Sequence, residues 1–211
     1  MDPMSGPWSW SAPSFLGMWV AMMAAMMLPS LAPRLWRYRE ASASSGATRP
    51  ALFAALVGVA YFIVWTLFGM AVLPLGIAVE AVTMQLPGLA RAAPVVVGAV
   101  IVMAGAFQLT RWKAHHLACC REALGCSTLA PSARTAVRDG LRIGLHCCHS
   151  CFGFVAMLLA FGIMDFRAMA VVTAAITAER LARSGERIAR ATGALAIAAG
   201  LILIVRAGGL A

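Results

Sequence analysis

Apolar residues in this chain come in long blocks, and the polar stretches between them are short, basic and marked by proline or glycine. Six blocks stand out, over about residues 15–35, 51–79, 94–110, 143–164, 166–178 and 191–205. A run of about 17 apolar residues or more is long enough to cross a bilayer as a helix. The pattern predicts an all-α fold, a polytopic transmembrane helical bundle of about six spans, in a single integral membrane domain over 1–211. Pro29 and Pro33 fall near the end of the first block, where lost backbone hydrogen bonds cost least or bend the helix, and Pro74 marks a kink or an end in the second. Residues 36–50 read as a basic and then flexible linker. Residues 80–93, with Pro87 and Gly88, read as a loop, and Asp165-Phe166-Arg167 as a very short turn. The longest polar connection is 111–142.

Composition sharpens this picture. The chain is 62% hydrophobic and 12% charged, with a mean hydropathy of +0.85, where a soluble domain carries roughly a quarter charged residues. The net charge of +9 raises the question of a nucleic-acid partner. The basic residues answer it by their positions. The connections after the first, third and fifth blocks hold fourteen Lys and Arg, and the other side holds only Arg91, Arg167 and Arg206. Lys and Arg mark the cytoplasmic side, which places both termini on the outer side and the 111–142 loop in the cytoplasm. The expected partner of the charge is therefore the lipid bilayer, and no nucleic acid. Met1–Ser14 carries no Lys or Arg, so the first span reads as retained and not as a cleaved signal. Trp8 and Trp10 suit the headgroup level.

The chemistry gathers in one stretch. All six cysteines lie between Cys119 and Cys151, and His146, Cys147, Cys148, His149 and Cys151 fall within six residues. Sulfur and imidazole groups packed this tightly suit Cu(I), Zn(II) or an iron–sulfur centre far better than Mg(II) or Ca(II). On an ideal helix, with His146 at zero, Cys147 lies near about 100°, Cys151 near about 140°, Cys148 near about 200° and His149 near about 300°. The thiols share one face and the imidazoles the other. Either the thiols bind alone, with Cys147 and Cys151 best aimed at one ion, or a second segment completes the site. The preceding loop offers His115, His116, Cys119, Cys120 and Cys126. If that loop is helical, His116 and Cys120 lie one turn apart, and two such turns supply four ligands. Four suffice for a closed Zn(II) site, and equally for a Cu(I) with groups left over for exchange. A cytoplasmic location keeps these thiols reduced.

A second feature lies in the first block. Met18, Met22 and Met26 are spaced by four, and Met23 with Met27 forms a neighbouring row. Methionine is also a good filler of apolar cores. Five in ten residues read further as a thioether path for a soft cation, which argues for Cu(I) over zinc. Glu179, beside Arg180 and Arg183, reads as an arginine-paired carboxylate near an interface, and Asp165 as a solvated one. Gly98 with Gly105, and Gly193 with Ala196 and Gly200, form small-residue faces that allow close helix packing and are compatible with a homo-oligomer.

The run Trp19-x-x-Met22-Met23-x-Ala25-Met26-Met27-x-Pro29 resembles the signature of the DUF2182 family of bacterial predicted metal-binding integral membrane proteins. Leu109-Thr110 with Lys113, Cys120-Arg121, Gly144-x-x-Cys147-x-x-x-Cys151 and Glu179 resemble its later blocks, so the similarity extends from the first span to the fifth. The family pattern has Cys where this chain has His116, and an adjacent Cys pair where it has Ser150-Cys151. His146, Cys148 and His149 are additions of this chain. The resemblance implies a multi-pass protein of the bacterial inner (cytoplasmic) membrane, described as copper-chaperone-like.

These readings converge on a soft-metal binding protein, with copper as Cu(I) first and zinc second, that acts in metal handling, transfer or transport. Its partners would be the metal ion and a copper-donating or copper-accepting protein. The chain has no phosphate-binding loop, so ATP-driven pumping by it alone is not expected, and no catalytic residue is assigned. One rival reading is a membrane thiol–disulfide oxidoreductase using Cys148-His149-Ser150-Cys151. The other is an assembly subunit with a structural zinc site.

Overall fold

The computed structural model describes residues 11–86, 88, 92–122, 132–162, 165–182 and 184–208. Trp8, Trp10, Pro87, Arg91, Cys126 and Arg183, which the sequence singles out, lie outside the described residues. Within them the fold is helical with no strand. Seven helices run α1 (Ala12–Ser44), α2 (Pro50–Gln85), α3 (Ala93–Gln108), α4 (Arg111–Glu122), α5 (Ala133–Phe161), α6 (Phe166–Leu181) and α7 (Gly185–Gly208).

Four of these, α1, α2, α5 and α7, are long and apolar enough to cross a membrane. The pair α3 and α4 adds a fifth if a bend of 64° is counted within one span. The α6 helix, where a fifth block was expected, is 16 residues long. Outward faces are apolar, with Val59, Ile63, Leu67 and Met70 exposed on α2 and Leu195, Leu201, Ile202 and Val205 on α7. Exposed apolar surface of that extent is what a lipid-contacting protein presents, consistent with a membrane protein.

The helices overrun the apolar blocks, and local side chains explain why. Residues 36–44, read as linker, continue α1 through Pro29 and Pro33 to Ser44. Arg34, Tyr38 and Ser42 recur every fourth residue and are all buried, which gives this stretch an inward face. Tyr38 reaches Asp139 Oδ2 at 3.5 Å. The 111–142 connection holds α4 and the first turns of α5, the latter started by Ser132, whose Oγ accepts from Thr135 N at 3.2 Å. Ala136, Gly140 and Gly144 then continue a buried face into Cys147. Residues 80–85, read as loop, complete α2. Asp165, read as solvated, caps α6: its Oδ1 accepts from Arg167 N at 2.8 Å and Ala168 N at 3.1 Å.

Two close helix contacts set the frame. The small-residue faces expected to permit an oligomer are used within the chain, α3 against α7. A Cβ at Gly105 would lie 2.8 Å from the Gly193 carbonyl oxygen, and one at Gly98 2.9 Å from that of Gly200. On the other side α5 packs on α2, where a Cβ at Gly144 would lie 3.1 Å from the Tyr61 carbonyl oxygen. That approach brings the Tyr61 side chain onto the thiols of α5. The α1 helix lies against α2 and α6, so its inward face meets the same place.

Candidate metal centre

The rotation of α1 is fixed by Trp19. Its Nε1 donates to the Trp65 carbonyl at 3.0 Å, and its ring covers Gly69, where a Cβ would lie 2.5 Å from Cδ1. The methionine rows therefore face inward. Met22, Met23, Met26 and Met27 are all buried, and Met18 is partly buried against the same core. Met22, Met23 and Met26 pack among apolar neighbours. Met27 goes further, with its Sδ 4.0 Å from Cys147 Sγ.

Cys147 and Cys151, one turn apart on α5, are both buried. Arg180 of α6 lies on them, and its Nη2 donates to Cys147 Sγ at 2.7 Å and to Cys151 Sγ at 3.0 Å. Its Nη1 donates to Ser30 Oγ at 3.1 Å and lies 3.9 Å from Met27 Sδ. The Tyr61 hydroxyl closes the far side at 2.8 Å from Cys147 Sγ. One guanidinium thus sits against two thiols and a thioether drawn from two other helices. Beside them lies Cys120 of α4, also buried, with its thiol against Ser150. Arg34 Nη1 donates to the Cys120 carbonyl at 2.6 Å. Cys148 is only partly buried.

The imidazoles gather separately. His116 Nδ1 lies 2.9 Å from His146 Nδ1, and the His116 ring stacks on His149 with centroids 4.9 Å apart. Trp112 sets its edge against both, 4.5 Å from His116 and 5.1 Å from His149. His115 Nε2 lies 3.6 Å from Cys119 Sγ, and His149 Nδ1 donates to the Leu145 carbonyl at 2.8 Å. Partial burial and the surrounding imidazoles of His149, His146 and His115 hold His116 below the ordinary histidine range. The turn of α4 that carries His116 and Cys120 therefore serves two groups: His116 joins the imidazoles and Cys120 joins the thiols. Among the described residues, no group of three or more His, Cys, Asp or Glu side chains is placed to hold a metal ion. The sulfur group is two thiols and one thioether.

Behind the thiols lies a buried ion pair. Lys113 Nζ is 2.7 Å from Glu179 Oε2, and Thr192 Oγ1 donates to Glu179 Oε1 at 3.0 Å. Glu179 was expected to pair with Arg180 and Arg183. It pairs with a lysine on α4 and not with Arg180, because successive residues of a helix point about 100° apart and Arg180 faces the sulfurs; Arg183 lies outside the described residues.

A family model described as PpoB2, copper chaperone, matches residues 16–203. This chain belongs to that copper chaperone family. No curated protein and no solved structure matches it. Every residue of the sulfur group lies inside the matched region.

The sequence reading named Met27, Cys147, Cys151 and Cys120 as ligand candidates, which the structure places together, and Lys113 and Glu179, which it pairs behind them. It missed Arg180, Tyr61 and Ser30. Arg180 was counted with the topology charges. Its signal was there: an arginine with a glutamate at the end of a 14-residue stretch from Ala168 that carries no other charged residue through Leu181. Two charges at such a place need partners inside the bundle.

Proposed function

We propose that this chain carries copper as Cu(I) within a membrane, holding it on Cys147, Cys151 and Met27. The observation that carries the reading is the convergence of these three sulfurs, from α1 and α5, at one buried point. Thiolate and thioether are the ligands that suit Cu(I), and no third His, Cys, Asp or Glu is placed to complete a tetrahedral zinc site among the described residues. Met22, Met23 and Met26 extend the thioether set along α1 as a path of weak sites. The exposed His115 and His149 and the partly buried His116 and His146, with Cys119 and Cys148, form a more accessible set where the ion is exchanged with a donor or acceptor protein. Cys120 stands next to the buried pair as a reserve thiol.

In this reading the protein has about six spans, with both termini outside and α4 at the cytoplasmic face of a bacterial inner membrane. The charge asymmetry between connections supports that orientation. The signature on α1 supports its further placement among DUF2182 proteins.

The test is the metal content of the detergent-purified protein, prepared reduced and without oxygen, beside Cys147→Ser/Cys151→Ser. Copper present in the first and lost in the second supports the reading. Tightly held zinc turns it toward a structural clamp. No metal in either, with a disulfide between Cys148 and Cys151, gives the case to the oxidoreductase.

A further inference from the structure

We propose that Arg180 makes the sulfur site selective for the valence of the ion, admitting monovalent Cu(I) and refusing Zn(II) and other divalent ions. This rests on Cys147 and Cys151 being the ligands, and goes beyond it by giving the site a basis for discrimination.

The guanidinium is fixed against the sulfurs and cannot be treated as a passing contact. Nη2 touches both thiols, Nη1 is held by Ser30 Oγ, and the Ser30 hydroxyl itself donates to the Met27 carbonyl at 3.0 Å. Arg180 is 5% exposed. The neighbouring residue Glu179 is tied to Lys113 and Thr192, which anchors the same turn of α6. Arginine does not lose its charge in proteins.

The charges then decide the ion. Cysteine binds metal as thiolate, so a loaded pair contributes two negative charges and Arg180 one positive. A monovalent ion brings this set to neutrality, whereas a divalent ion leaves one positive charge buried without a partner, which is costly. The other charged groups nearby do not reverse this. Lys113 and Glu179 cancel one another, and Arg34, on the Cys120 carbonyl, adds charge of the same sign as Arg180. A fixed positive charge opposes a divalent ion twice as strongly as a monovalent one at the same position. Removing it shifts the monovalent-to-divalent preference by roughly a hundredfold or more at contact distances. The donor set points the same way, since zinc takes four ligands where this site offers two thiols and a thioether.

The test uses the full-length protein in detergent, reduced and without oxygen, with Ag(I) as the monovalent probe and Cd(II) as a thiol-seeking divalent one. Affinities are read by chelator competition in the wild type, Arg180→Gln, Arg180→Lys and Cys147→Ser/Cys151→Ser. The expected result is Ag(I) held far more tightly than Cd(II) in the wild type, with the ratio falling about a hundredfold in Arg180→Gln and kept in Arg180→Lys. An unchanged ratio in Arg180→Gln, with Ag(I) still lost in the double cysteine variant, overturns the role of Arg180 and leaves the ligand assignment standing. Ag(I) retained by the double cysteine variant overturns the ligand assignment itself. Should Arg180→Gln not fold, the wild type decides alone: Cd(II) displacing bound Ag(I) at comparable concentration overturns the proposal.

Discussion

Lys113 Nζ lies 2.7 Å from Glu179 Oε2, and both side chains are closed off from solvent. This pair joins α4 to α6 directly behind the thiols. Removing one partner leaves the other as an uncompensated buried charge. Lys113→Met or Glu179→Leu alone is expected to cost about 3–5 kcal/mol, while the double replacement recovers most of it. Thermal unfolding of the four proteins in one detergent checks this, and equal losses in the single and double variants would contradict it.

Two glycines, one in the α3–α7 contact and one on α1, carry opposite predictions. Gly105→Ala places a Cβ 2.8 Å from a backbone oxygen of Gly193, where no side chain can move aside. It should destabilise by about 1–3 kcal/mol. Gly17→Ala, with nothing within 4 Å, should stabilise α1 by about 0.5–1 kcal/mol. Unfolding midpoints measure both.

Thiol accessibility separates the cysteines. Cys119 and Cys148 are partly exposed, whereas Cys120, Cys147 and Cys151 are buried. Brief maleimide labelling of the native protein, followed by peptide mass spectrometry, should modify the first two well ahead of the other three. Labelling of Cys147 as fast as Cys148 would contradict the packing of Tyr61 and Arg180 over it.

The imidazole group should respond to acid. His116 is held below the ordinary histidine range, so the folded state binds its proton less readily than the unfolded chain does. Its contribution is complete above pH of about 6.5 and is lost progressively as the pH falls below that value. The unfolding midpoint should drop between neutral and mildly acid pH, and His116→Gln should reduce the drop. An identical pH profile for the two proteins would count against the assignment.

Much of this architecture was legible in the pattern of apolar blocks, because a helix that faces lipid must be apolar whatever it packs against. The overruns were harder to see. Arg34, Tyr38 and Ser42 look like linker residues one at a time, and only their spacing of four marks an inward face. The pairing of Cys147 with Cys151 followed from helical geometry alone. Arg180 did not, because its partners lie on α1 and α5, and one-dimensional spacing carries no information about which helix comes to rest beside it. The same limit misplaced the partner of Glu179, whose lysine stands 66 residues away. It also left open what covers Gly98 and Gly105, which within the chain lie opposite Gly200 and Gly193.

Met27 and Arg180 are 153 residues apart in the chain, yet they meet each other and the thiol of Cys147. The sulfur of α1 therefore finds its place only once α5 and α6 have been made and packed against it. If the proposed function holds, an ion bound there would clasp α1 to α5, so that cargo would tie together segments far apart in the chain. Binding of this kind favours the assembled form in proportion to the ion available. A cell short of the ion would accordingly hold this protein in a looser, more easily degraded form, and abundance would follow supply without any separate sensor.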